Sequence, residues 1–255
     1  MDSRFLLRAL APADIDTAMD LVRLTGSHDQ ASVRDAVLSR RAMERAAAGD
    51  PQVTTTGGIL VAEDTSTGQV VGTVTFGPPG PWSHGLRDRL PGDGWKQWTQ
   101  KAGEIYEVAV QPEFRGRGIG AALMNAAAAH PAAARWRLML WFFPGDDPRA
   151  ARFHESLLPP LDPGETLWFV EPGHKAVLPF RELPGTLRAC LGPLHPDVRL
   201  LTIPDGRRVV RGLFTGPAWV PAPGGGLRLA TVPAARPGGK ADRKREKRAR
   251  GRARG

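Results

Sequence analysis

One cysteine, Cys190, is all the chain has among its 255 residues. That excludes an internal disulfide and any cysteine-rich zinc site, and the lone thiol reads as a buried core residue. No stretch approaches the roughly 18 to 20 consecutive apolar residues that span a bilayer. The first residues, Met1-Asp2-Ser3-Arg4-Phe5, have neither the apolar run nor the small-residue cleavage site of a secretory leader. A basic fold is also missing, despite a net charge of +9. Residues 236 to 255 hold ten Lys/Arg against two Asp/Glu, so the rest of the chain is close to neutral. The high isoelectric point therefore describes a tail. A cytoplasmic protein with no membrane association is expected.

What is present suits a folded core, since hydrophobic residues make up 41% of the chain. Residues 5 to 10 read as a strand stopped by Pro12, and Ala13-Asp14-Ile15-Asp16 opens a helix with Ile15, Met19 and Val22 on one side. A second helix is expected over 32 to 48. Two β-branched runs, 59 to 62 and 70 to 76, flank a turn of Asp64, Ser66, Thr67 and Gly68 and predict an antiparallel hairpin. Residues 77 to 103 read as a long loop. A strand over 104 to 110 follows, then a glycine turn and an alanine-rich helix over 119 to 134. The apolar run 138 to 143 predicts a buried strand, and Asp147-Pro148 has the N-cap and first-turn proline of a helix. Residues 166 to 170 and 175 to 180 are strand candidates. Beyond 185, runs 200 to 203 and 209 to 214 flank Pro204-Asp205-Gly206-Arg207 as a hairpin. The last twenty residues lack the apolar content to fold.

The turn Arg115-Gly116-Arg117-Gly118-Ile119-Gly120 lies between a strand and a helix, the order used by several phosphate-binding devices. Helix-terminal N–H groups point at an anion there, and glycine lets its oxygens approach the main chain. A P-loop fails for want of Gly-Lys-Ser/Thr. A dinucleotide fingerprint is met formally by Gly116-x-Gly118-x-x-Ala121. However, five residues separate strand from glycine, and no acid lies in the following strand to hold a ribose. A glycine-rich surface turn with no ligand is the remaining alternative.

The run Val108-Ala109-Val110-Gln111-Pro112-Glu113-Phe114-Arg115-Gly116-Arg117-Gly118-Ile119-Gly120-Ala121-Ala122-Leu123-Met124 closely resembles the central motif of the GNAT superfamily of N-acetyltransferases. The family pattern Arg/Gln-x-x-Gly-x-Gly/Ala is met by Arg115, Gly118 and Gly120. Arg8 to Ile15, the 59–76 hairpin, and Asp147, Ala150 and Phe153-His154-Glu155 are similar to outer parts of the family in the right order. The resemblance spans roughly residues 4 to 180. It implies an α/β fold with a central mixed, mostly antiparallel sheet flanked by helices. A β-rich, Pro/Gly-rich extension (181–235) and a basic tail (236–255) would follow.

The resemblance also implies acetyl-CoA as co-substrate, no metal, and direct transfer of acetyl to a primary amine in a ternary complex. The N–H groups of Arg117, Gly118, Ile119, Gly120 and Ala121 form the expected pyrophosphate cradle, with Arg115 and Gly116 among the cofactor-binding residues. Main-chain groups of Val108, Ala109 and Val110 would pair with the pantetheine arm, and the Val110 N–H would polarise the thioester carbonyl. An amine of pKa about 10.4 is neutral in roughly one molecule in 2,500 at pH 7, so a base is needed. Glu104 and Glu107 are the candidates, and strict strand alternation puts them on opposite faces. Each could equally be a solvated or ion-paired strand carboxylate. Family members often protonate the leaving thiolate with a tyrosine on the helix after the fifth strand. The chain's one tyrosine, Tyr106, lies elsewhere. His154 takes the matching place, as a general acid or as an ordinary helix-surface histidine.

Trp82, His84, Trp95 and Trp98 either line an amine pocket or anchor their long loop. The acceptor is expected to be a small-molecule or peptide amine, and the chain a monomer or homodimer. The tail offers weak, salt-sensitive contact with RNA or DNA, or is a solvated appendage. Two functions stand: an N-acetyltransferase, and a GNAT-fold acyl-CoA-binding module whose chemistry has lapsed.

Overall fold

The computed structural model describes residues 3–25, 33–79, 94–161, 165–171, 174–179, 187–203, 206–214, 219–221 and 227–229. Of the sequence features above, Trp82, His84 and the 236–255 tail lie outside these residues.

The first strand, β1 (Phe5–Ala9), leads into α1 (Ile15–Arg23), whose buried Ile15, Ala18, Met19, Leu21 and Val22 form its inner stripe. The junction is fixed electrostatically: Arg8 forks onto Asp14 at 2.5 and 3.0 Å and reaches Glu63 at 2.6 Å. Helices α2 (Val33–Ala47) and α3 (Pro51–Thr54) follow, then the hairpin of β2 (Gly58–Asp64) and β3 (Gln69–Gly77). Its turn has Gly68 at φ 73°, a region glycine enters without strain. Buried Asp64 pairs with Arg4 and accepts from Ser66 N at 3.0 Å.

Residues 77–103, expected as loop, end in a helix, α4 (Gly94–Lys101). The tryptophans explain it, because helical spacing sets Trp95 and Trp98 on one side. Trp98 is fully buried, edge-on to Phe169 with ring centroids 5.2 Å apart. Trp95 packs beside the same core cluster. Both therefore anchor the segment. The next strand, β4 (Ala102–Val110), runs through a short turn at Pro112–Phe114 into α5 (Ile119–Ala129). That helix stops earlier than expected, because His130 precedes Pro131 and is driven to extended backbone, ψ 143°.

Strand β5 (Leu138–Pro144) precedes α6 (Pro148–Leu157), where Asp147 caps the helix by accepting from Arg149 N at 2.8 Å. Then come β6 (Thr166–Glu171), β7 (His174–Pro179), β8 (Leu187–Pro193), β9 (Arg199–Thr202) and β10 (Arg208–Arg211). The six-stranded sheet has the order β1-β2-β3-β4-β5-β8 and is antiparallel except at β4–β5. Thus Leu187–Pro193, beyond the expected limit of the transferase region, supplies its sixth strand. A four-stranded sheet, β7-β6-β10-β9, includes the expected β9–β10 hairpin. Separately, β11 (Trp219–Pro221) and β12 (Leu227–Leu229) form a two-stranded ladder.

Two faces of the large sheet are covered differently. On one, Ile119, Leu123, Met124 and Ala127 of α5 pack with Val74, Ile105, Met139 and Trp141. Cys190 is buried there, and burial pushes its thiol pKa up to about 12. The opposite face carries two clusters. One joins α1 and α2 to Ile59, Val61, Val70 and Ala109; the other joins Trp98 of α4 and the small sheet to Ala102, Leu138 and Leu140.

Candidate functional site

The β4 strand does not alternate throughout. Thr75 of β3 faces Glu107, but Phe76 faces Ile105, so Tyr106 is an extra residue, a β-bulge. The inserted residue resets the side-chain phase. Ile105 and Val108, three apart, both pack on the α5 side. Glu104 stands beside Leu140 and Glu107 beside Thr75, which puts both carboxylates on the opposite face. The expectation of opposite faces is thereby corrected, and the cause is one residue of register. Glu104 is buried at 6% exposure, whereas Glu107 is half-buried. Thr75 and Glu107 are half-buried on that face, and Tyr106 is exposed.

Parallel pairing of β4 with β5 covers only Ala102 to Ile105 against Leu138 to Trp141. Past that point β4 pairs with β3 alone, and a gap opens on its other edge. Gln111 N donates to Val71 O at 2.9 Å, toward β3. Backbone groups alternate in direction along a strand, so those of Ala109 and Glu107 also point toward β3. Those of Val108 and Val110 consequently face the gap. Val110 O already accepts from Arg115 Nε at 3.0 Å, which leaves the Val110 N–H and both Val108 groups along the opened edge.

The glycine turn sits at the end of this gap. Gly116 and Gly118 have φ of 76° and 78°, backbone that L side chains rarely adopt. Gly118 is the N-cap of α5 and has no side chain to bond the helix's first N–H groups. Geometry gives those groups no partner within the helix. Residues Arg115 to Gly118 are exposed, and Ile119 is buried beneath them. Gly72 is why α5 lies so close: a Cβ there would meet Ala109 O at 3.1 Å and Leu123 Cδ1 at 3.1 Å. Gly120 does the same toward α6, with Phe153 Cζ at 3.1 Å from a built Cβ. The arrangement offers an anion-binding helix terminus followed by an unpaired strand edge. It fits a pyrophosphate on an amide-bearing arm.

His154 lies on the α5 side of the sheet, away from the two glutamates. It is 7% exposed, stacked on Phe143 at 4.4 Å, and its Nδ1 accepts from Trp141 Nε1 at 3.1 Å. Burial pushes its pKa down to about 4. It is neither a helix-surface histidine nor charged near neutral pH.

Tyr106, remote from the expected acid position, stands on β4 between the two glutamates. It is 45% exposed, and its hydroxyl donates to Pro78 O. Desolvation, then the Glu104 charge, pushes its pKa up. No group of three or more metal-ligating side chains occurs among the described residues. No described helix is long and apolar enough to cross a membrane.

The model of the acetyltransferase (GNAT) family matches residues 29–158, just over half of the chain. The chain belongs to the GNAT acetyltransferase family. No curated protein matches it. Solved structures similar to it include an N-acetyltransferase from Staphylococcus aureus Mu50, at 15% identity over 75% of this chain and 99% of that one, TM-score 0.45. Another is the diaminobutyrate acetyltransferase EctA from Paenibacillus lautus, in complex with L-2,4-diaminobutyric acid and coenzyme A. It is 16% identical over 78% of this chain and 100% of that one, TM-score 0.48. A ribosomal-protein-alanine N-acetyltransferase from Brucella melitensis is 19% identical over 73% and 99%, TM-score 0.43.

Proposed function

We propose that the chain transfers an acetyl group from acetyl-CoA directly to a primary amine in a ternary complex. The observation that carries this reading is the opened β4 edge leading to a glycine-capped helix N-terminus. N–H groups of Arg117, Gly118, Ile119, Gly120 and Ala121 hold the pyrophosphate, favoured by the helix dipole. Val108 and Val110 pair with the pantetheine arm. The Val110 N–H is the group that polarises the thioester carbonyl.

The amine comes from the other face of the sheet, over Glu107. Its nitrogen attacks the carbonyl carbon, the C–N bond forms, the C–S bond breaks, and Glu107 takes the proton directly or through water. Glu104, deeper on the same face, adds negative charge that draws the ammonium in. His154 serves as a positioning residue for Trp141 instead of a proton donor, since it is neutral and on the far face. A thiol has a pKa near 8.5, so its thiolate leaves without a dedicated acid and water supplies the proton. On this reading the extension from residue 181 completes the transferase sheet before the basic tail.

Gly118→Asp tests the cradle. It strains a left-handed position and sets a carboxylate where the pyrophosphate would bind. Acetyl-CoA at 100 times its Kd should stabilise the wild-type chain by about 2.7 kcal/mol, and this thermal shift should vanish in the variant. An unchanged shift would remove the cradle from the account.

A further inference from the structure

The Tyr106 ring lies on the face that carries both candidate carboxylates and, unlike the aromatics of the core cluster there, is exposed. A Cβ on Gly77 would sit 2.6 Å from its hydroxyl oxygen and 3.0 Å from Cε2. Gly77 stands opposite Glu104, and its neighbour Phe76 points to the α5 side. The ring tip therefore lies over Gly77 on the Glu104 and Glu107 face. With its hydroxyl committed to Pro78 O, the phenol is held in place and presents its ring. The bulge puts it between Glu104 and Glu107 along β4, outside both core clusters and 45% exposed.

We propose that Tyr106 is the aromatic wall of the acceptor subsite and binds the amine as its ammonium ion through the ring face. This rests on the transferase reading for the identity of the ligand. A ring face attracts a cation by its quadrupole, and desolvation strengthens the contact. Two carboxylates on the same face act in the same direction and repel an anion. The class of acceptor is therefore an alkyl or polyamine-like ammonium with no carboxylate beside it, in preference to an amino acid. The acceptor binds charged, one ammonium proton passes to water once it is seated, and Glu107 takes the second as the C–N bond forms.

The test is a calorimetric titration of the full-length, CoA-saturated protein with tetramethylammonium chloride, which carries the cation but cannot react. Binding should weaken about fivefold or more in Tyr106→Leu, a loss within the range of cation–π contacts. Tyr106→Phe, which keeps the ring, should fall between wild type and Tyr106→Leu. Unchanged CoA affinity reports that each variant is folded. If Tyr106→Leu misfolds, the wild-type titration decides: no tetramethylammonium binding overturns the proposal. Equal binding by wild type and Tyr106→Leu also overturns it. Because the probe does not turn over, absence of acetyl transfer would sink the transferase reading alone and leave the ring contact standing.

Discussion

Glu107 and His154 show how far local surroundings decide what a titratable side chain can do. Glu107 is half-buried beside Thr75 on the open face. As the base, its loss should be felt in turnover: Glu107→Gln is expected to lower kcat about a hundredfold while leaving the KM for acetyl-CoA unchanged. Initial rates at several amine concentrations separate the two, and a loss confined to KM for the amine would reassign Glu107 to binding. His154 has the opposite character. Its folded pKa is about 4 against an ordinary 6.5, so the unfolded chain takes up the proton first. Its contribution to stability is complete above pH 6.5 and declines as pH falls from 6.5 toward 4, by on the order of 3 kcal/mol. Denaturant melts across that window should show the decline. His154→Phe should make the slope shallower, leaving the share of His130, whose pKa burial also lowers, at the cost of about 1–3 kcal/mol at pH 7 for the stranded Trp141 N–H. An unaltered slope would place the acid sensitivity elsewhere.

At the scale of elements, the helix, hairpin and glycine turn were readable because each has its own chemistry. Asp147-Pro148 caps α6, Gly68 turns the β2–β3 hairpin, and Gly118 starts α5. Two features were hidden by longer-range physics. The α4 helix is short and set in a run rich in Pro, Gly and Trp, and its inner side is read only once Trp98 is seen buried in the core with Trp95 beside it. The β4 bulge left a fainter trace. Strict alternation would group Ile105 with Glu107, and Tyr106 with Val108 and Val110, so neither phase gives a clean apolar face. One extra residue resolves that conflict, placing Ile105, Val108 and Val110 against α5. The seat of α5 is testable in turn. Gly72→Val presses on Ala109 O and on Leu123 and Ile119, so overpacking should cost about 1–3 kcal/mol. Acetyl-CoA affinity should fall with it, because α5 brings the cradle. Titration calorimetry showing full affinity in a destabilised variant would separate cradle from seat.

For the molecule as a whole, family membership accounts for the mostly antiparallel sheet flanked by helices. On the face proposed for the acceptor, the bulge gathers two glutamates and Tyr106. The absence of a tyrosine at the expected acid position, and the buried His154 found there, keep a binding-only role as the sharpest rival. Free-thiol release from acetyl-CoA, measured with the wild-type chain across polyamines, arylalkylamines, amino acids and peptide N-termini, separates the two. Amine-dependent release, strongest with amines that lack a neighbouring carboxylate, is the predicted result. Thermal stabilisation by acetyl-CoA with no release above the amine-free rate for any acceptor would contradict the account.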